Sequence, residues 1–264
     1  MDRAYARIKE NDAEAARLLN SINNYVLTQL GIQFPEVKQE KVLVVNVEDI
    51  KGQRFDVEYN QFKSFENQLS IKNSIKIIEF IIDYKKGIEV GSNQYVNNGT
   101  IPFVRISDIN ENSLNLQQTK KKISDSLFKQ LKQNFSPKKG EILYTKDGTI
   151  GLSYLVTTQK NYIVSSSFLR LICENIQLAK FLKIILSLKV YKEMANKKSS
   201  GTIIKHLNLK EFLNISIPFP SYTQIEKIVI EVDEIQAKVK SLKKDTAGIL
   251  QKAQQEVEEI IFQQ

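Results

Sequence analysis

Past residue 220 the apolar side chains fall into one narrow stripe. Ile225, Ile228, Val232, Ile235, Val239, Leu242, Thr246, Ile249, Ala253 and Ile260 sit alternately three and four residues apart, with one step missed at Glu256. This spacing predicts a heptad helix over 221–264, with lysine and glutamate around its seam. So narrow a stripe cannot enclose a core of its own and has to pack on another helix. Residues 2–30 supply one candidate, because Ala13, Ala15, Ala16, Leu18, Leu19, Ile22, Val26 and Leu30 recur at helical steps before Gly31 and Pro35 stop the run. A helix from a second chain is the other.

The middle of the chain has a different rhythm. Strands are expected at Val42–Val45, Ile75–Ile82, Pro102–Ile106, Glu141–Tyr144, Ser153–Thr157, Phe168–Ile172 and Ile215–Ile217. A weakly amphipathic helix is expected over 61–72 and a stronger one over about 177–196. Loops rich in Asn and Gly separate them at 91–94, 97–99 and 146–148. The pattern divides the chain into an N-terminal helix (1–31), a mixed α/β domain (32–220) and a long C-terminal helix (221–264). The fold class is therefore an α/β (mixed α+β) domain flanked by long coiled-coil-type α-helices.

Charge sharpens this division. The net charge is +8, yet residues 1–31 are neutral and residues 221–264 carry −2, which leaves +10 on 32–220. Within 84–205 there are 20 basic side chains against 8 acidic ones. A positive region concentrated in this way suits a polyanion, since each phosphate neutralised releases condensed counterions. It also suits a surface kept basic for solubility. The single cysteine, Cys173, excludes an internal disulfide and fits a reducing compartment. No stretch approaches the roughly 18 apolar residues that span a bilayer, and Met1–Arg7 lacks the apolar core of a signal peptide. A cytoplasmic bacterial protein with no membrane partner is expected.

Catalytic constellations are missing. His206 is the only histidine, so no Ser-His-Asp or Cys-His arrangement is supported, and its plain reading is a solvent-exposed or phosphate-contacting side chain. One histidine and one cysteine cannot make a zinc finger or ribbon, and Cys173 reads as a small core residue. Gly148-Thr149-Ile150-Gly151 lacks the lysine and spacing of a Walker loop, and no dinucleotide fingerprint occurs. Glu36-Val37-Lys38 has the Glu-x-Lys spacing of some metal nucleases but no upstream acidic partner, and reads as linker. No metal and no cofactor are expected, and the chain reads as a binder, not an enzyme.

Several segments carry a family resemblance. They begin with Lys85-Lys86-Gly87-Ile88-Glu89-Val90-Gly91-Ser92-Asn93 and Gly99-Thr100-Ile101-Pro102-Phe103-Val104-Arg105, closing at Asp108-Ile109. Lys139-Gly140-Glu141-Ile142-Leu143 and Lys146-Asp147-Gly148-Thr149-Ile150-Gly151 follow in order, then Ser200-Gly201-Thr202-Ile203-Ile204-Lys205. Ile215-Ser216-Ile217-Pro218-Phe219-Pro220 leads into Gln224-Ile225-Glu226-Lys227-Ile228, and Arg54-Phe55-Asp56-Val57-Glu58-Tyr59 lies upstream. Together they resemble the target-recognition domain of type I restriction–modification specificity subunits, over about residues 31–264. The resemblance implies sequence-specific recognition of an interrupted site in double-stranded DNA. It implies long helices that dock methyltransferase (modification) subunits, and a restriction subunit reached through the assembled complex. S-adenosylmethionine is then expected only on the methyltransferase partner. Full subunits have two recognition domains and this sequence has one, so it is either a natural half-subunit or a piece of a longer chain. In the first case the uncovered seam of Ile225, Ile228, Val232, Ile235, Val239, Leu242 and Ile249 makes a homodimer. The alternative is a coiled-coil scaffold protein whose basic α/β domain binds RNA or protein.

Individual DNA-contact candidates each have a second reading. Arg105 is either aimed at DNA, as guanine- and phosphate-binding arginines are, or paired with Asp108. Lys197, Lys198, Ser199, Thr202, Lys205 and His206 form a basic loop suited to phosphates, or merely a solvated one. Lys120-Lys121-Lys122 is a charge run of the kind that usually faces solvent. Ser92, Asn93 and Gln94 can read base edges, and asparagine is equally a turn former. Lys85, Lys86 and Lys146 complete the candidate set.

Overall fold

The computed structural model describes residues 2–32, 48, 71, 73–110, 113–201 and 205–262. The chain forms two compact units, Met1–Gly31 with Ser221–Gln264, and Ile32–Pro220. Outside the described residues lie the strand expected at Val42–Val45, Glu36–Lys38, Arg54–Tyr59, Thr202 and, Ile71 apart, the helix expected over 61–72.

The first unit is a pair of helices, α1 (Asp2–Gln29) and α7 (Tyr222–Phe262). They run antiparallel: Gln224 Nε2 donates to the Gln29 carbonyl, and Asn11 Nδ2 donates to Asp245 Oδ2 at 2.9 Å. Arg7 also pairs with Asp245 at 3.0 Å. Asn11, then Arg7, hold the Asp245 carboxyl below its ordinary range. Ala15, Val26, Leu27 and Leu30 are buried on the N-terminal side, and Ile225, Ile228, Val229, Val232, Ile235 and Val239 on α7. Gly31 ends the first helix with φ +61°, a left-handed conformation that glycine adopts without a Cβ penalty.

The second unit is built on a four-stranded antiparallel sheet in the order β2-β8-β5-β6, where β2 is Asp83–Lys86, β5 Ile142–Thr145, β6 Ser153–Leu155 and β8 Phe168–Ile172. A three-stranded sheet places β3 (Ile101–Val104) between β4 (Lys122–Ile123) and β7 (Ile163–Val164), antiparallel to the first and parallel to the second. Two further pairs are β1 (Ser74–Lys76) with β11 (Ser216–Pro218), and β9 (Ser199–Ser200) with β10 (His206–Leu207). One apolar cluster joins Val104, Leu143, Val156, Tyr162, Val164 and Phe168, and another joins Val90, Phe103, Ile123, Phe128 and Ile163. Among the described residues this unit's helices include α2 (Ile77–Phe80), α3 (Asp125–Phe135), α4 (Ile176–Ser187), α5 (Lys189–Lys197) and α6 (Leu209–Leu213).

Two expected elements divide. The strand expected over Ile75–Ile82 is interrupted by α2, because Glu79 Oε2 accepts the Lys76 N–H at 3.1 Å and starts a helical turn that buries Ile77 and Phe80. The helix expected over 177–196 breaks at buried Leu188, which is extended. Just before the break Ser187 Oγ donates back to the Lys183 carbonyl at 2.8 Å and bonds Ser153 Oγ at 2.9 Å, a side-chain competition that ends helices. Among the described residues no helix is long and apolar enough to cross a membrane.

Candidate nucleic-acid interface

Strand direction decides which basic residues meet. β2 and β5 are each antiparallel to β8 and therefore parallel to one another. Lys86 pairs with Leu169, and Thr145 pairs with Phe168, so the C-terminal ends of β2 and β5 lie at the same end of the sheet. Only β8 separates them, a span of roughly 10 Å at about 4.8 Å per strand. Lys85 and Lys86 are exposed on the edge strand β2, and Lys146 follows β5 directly.

The β9–β10 hairpin is stitched to this end. Leu207 N–H donates to the Lys146 carbonyl at 2.8 Å, and Gly148 N–H donates to the Lys205 carbonyl at 2.8 Å. Asp147 ties the two segments through its side chain, bonding His206 Nδ1 at 2.9 Å and Lys146 Nζ at 2.5 Å. Lys146, Lys205 and His206, far apart in sequence, thus share one corner with Lys197 and Lys198 at the end of α5. Lys205 and His206 are exposed there, whereas Lys146 is mostly covered and bound to Asp147. Ser199 is buried and its hydroxyl donates to the Asn196 carbonyl, which turns it inward.

Ser92, Asn93 and Gln94 form one exposed 3-10 turn, and Gln94 Oε1 accepts the Gly91 N–H at 2.9 Å. Arg105 follows β3 directly and is half-buried. Asp108 Oδ2 accepts the backbone N–H of Arg105 at 2.8 Å, so the acid caps a turn of 3-10 helix instead of pairing the guanidinium. Arg105 Nε is buried with no hydrogen-bond partner among the described residues. Lys121 lies 4.9 Å from the centre of the Tyr95 ring, a cation–π contact.

The framework beneath is held by a buried ion pair that no charge pattern announced. Arg170, in the middle of β8, donates through Nε and Nη2 to the two oxygens of Glu141 at 2.7 and 2.9 Å, and through Nη1 to the Asn134 carbonyl at 2.6 Å. Only 1% of the Arg170 side chain is exposed, so its charge is satisfied entirely by protein. A lone arginine inside the apolar run Phe168–Ile172 was the available signal. Cys173 is half-buried, not the core residue expected, yet desolvation pushes its thiol up to about 12 and so keeps it protonated and weakly reactive. No group of three or more His, Cys, Asp and Glu that could hold a metal occurs among the described residues.

Comparison with known proteins follows the same outline. The type I restriction modification DNA specificity domain family matches residues 75–259. The type I restriction enzyme EcoBI specificity subunit of Escherichia coli is 30% identical over 151 residues, which are 57% of this chain and 31% of that protein. The chain thus spans less than a third of that relative's length. Among solved structures, the HsdS subunit from Thermoanaerobacter tengcongensis is similar at 16% identity and a TM-score of 0.49, over 96% of this chain and 56% of that one. The S subunit of a type I restriction–modification system from M. genitalium is similar at 16% identity and a TM-score of 0.43, over 60% and 37%. The match over 75–259 covers most of the α/β unit and nearly all of α7, and the chain belongs to the type I restriction modification DNA specificity domain family.

Proposed function

We propose that this chain reads DNA sequence for a type I restriction–modification complex in the cytoplasm and performs no methyl transfer or cleavage itself. The observation that carries the reading is the family match, which runs unbroken from the basic α/β unit into the long helix. The α/β unit supplies the DNA contacts. Lys85, Lys86, Lys197, Lys198, Lys205 and His206 position phosphates, while the exposed turn Ser92–Gln94 and Arg105 reach towards bases. The helical unit docks the methyltransferase subunits, and the restriction subunit joins through them. S-adenosylmethionine belongs to the methyltransferase.

A second copy of the chain completes the helical unit. Using the Gln29–Gln224 and Asn11–Asp245 contacts as register, the N-terminal end of α1 lies opposite about residue 253, whereas α7 continues to Phe262. Past Val239 the seam opens: Leu242, Ile249 and Ala253 are only half-buried, and Leu250 and Val257 are exposed. A two-fold interface on this stretch uses the same patch from both chains.

Fluorescence anisotropy of the full chain with random duplex DNA and with single-stranded RNA tests the reading. Duplex binding that weakens steeply between 50 and 200 mM salt supports it. Preference for RNA, or affinity insensitive to salt, contradicts it and favours the scaffold alternative.

A further inference from the structure

A second basic surface lies away from every candidate contact named so far. Helix α3, capped where Ser124 Oγ accepts the Leu127 N–H at 3.2 Å, carries Lys132 in its last turn. The chain then turns through Pro137, Lys138 and Lys139 before entering β5. These three lysines line an open cleft of about 630 Å³, together with Gln133, Gln159 and Asn161. Phe128, mostly buried, forms part of its floor.

The rim of this cleft is fixed. Gln159 Nε2 donates to the Pro137 carbonyl at 3.1 Å, and Gln159 Oε1 accepts the Lys139 N–H at 3.2 Å, which binds the loop after β6 to the loop before β5. From below, Arg170 reaches the Asn134 carbonyl at the end of α3. No carboxylate lines the cleft: between residues 126 and 140 there is none, and Glu141, next along the chain, is bound by Arg170. Lys132, Lys138 and Lys139 are exposed, and none has an ion-pair partner among the described residues. The C-terminal dipole of α3 accounts for one lysine in its last turn. It does not account for two more on a tethered loop facing the same cleft.

Three ammonium groups without ion-pair partners among the described residues, and the exposed amides of Gln133 and Asn161 beside the tethering Gln159, match consecutive phosphates of a nucleic-acid backbone. The position is informative too. Lys139 precedes β5 (Ile142–Thr145) and Lys146 follows it, so the two basic surfaces sit at opposite ends of one strand, at most roughly 23 Å apart at about 3.3 Å per residue. One duplex laid along that strand meets both within about seven base pairs at 3.4 Å each. We infer that the cleft of Lys132, Lys138 and Lys139 is a second phosphate-binding site for duplex DNA, gripping the backbone at the end of the sheet remote from the β9–β10 hairpin. The inference rests on the DNA-reading function proposed above.

The test is the salt dependence of duplex binding by the full chain and by K132Q/K138Q/K139Q, each checked for an unchanged thermal melt. Every phosphate contact contributes about 0.9 to the slope of log affinity against log salt, so losing three lowers it by about 2.7. Between 50 and 200 mM salt the loss of affinity then becomes about 40-fold shallower than in the native chain. Sequence preference stays the same, because phosphates carry no sequence information. A slope equal to that of the native chain, with duplex binding intact, overturns the second site and leaves the DNA-reading function standing. A native chain that binds no duplex overturns both. An effect appearing only with ATP as competitor, and not with duplex, identifies a free-nucleotide site and also overturns the inference.

Discussion

Replacing Glu141 by glutamine keeps the shape of the side chain and removes one charge from the most deeply buried ion pair described in the molecule. In the native chain both Glu141 oxygens accept from Arg170, at 2.7 and 2.9 Å, and only 1% of the arginine side chain is exposed. E141Q leaves the guanidinium positive and buried: the glutamine oxygen and the Asn134 carbonyl still accept, but the amide NH2 now faces a guanidinium N–H, donor against donor, and no counter-charge remains. Removing one partner of such a pair costs about 3–5 kcal/mol. For a unit of this size each kcal/mol is worth roughly 2–4 °C, so the melting temperature falls by roughly 6–20 °C. The double variant E141L/R170M recovers most of that loss, since apolar residues of similar volume replace buried pairs at little cost. Asn134 is exposed, and water can satisfy its freed carbonyl. Tyrosine emission reports the unfolding cleanly because the chain has no tryptophan. A drop below about 1 kcal/mol for E141Q, or a double variant less stable than E141Q, would show that the pair does not hold the framework.

Other substitutions test other parts. A Cβ at Gly87 stands 2.0 Å from the Ser165 carbonyl oxygen and 2.6 Å from that of Val164, both backbone atoms, so G87A costs about 3 kcal/mol; an unchanged urea midpoint contradicts this. Cys173, its thiol held protonated by burial up to about 12, reacts negligibly with iodoacetamide at pH 8 until urea unfolds the chain; fast labelling of folded protein refutes that burial. Because the folded thiol keeps a proton that the unfolded one releases, stability also declines as pH rises above about 8.5. Sedimentation of the native chain at tens of micromolar gives a dimer and I249E/L250E gives a folded monomer; a monomeric native chain refutes the self-paired seam.

Legibility in the sequence followed how local each signal was. The stripe from Ile225 to Ala253 needs only its own periodicity, and Ile225 to Val239 are buried as that stripe requires. Strand Phe168–Ile172 was legible because a short apolar run between turns has few other uses. Helix α3 was missed although Leu127, Phe128, Leu131 and Phe135 recur at helical steps and Ser124 stands at the cap; at 11 residues it offers only about three turns of pattern. Without α3 the cleft at Lys132 could not be assembled. The Arg170–Glu141 pair joins positions 29 residues apart, and only strand pairing between β5 and β8 brings them together. The corner of Lys146, Lys205 and His206 likewise depends on hydrogen bonds between two loops.

The central claim is that this chain reads duplex sequence. Its most direct test is selection of a random duplex pool by the full chain, with sequencing of the bound fraction. Enrichment of one interrupted motif is expected, with mismatches in it costing about 1–3 kcal/mol each. A bound pool whose sequences match the input, however tightly the DNA is held, contradicts it.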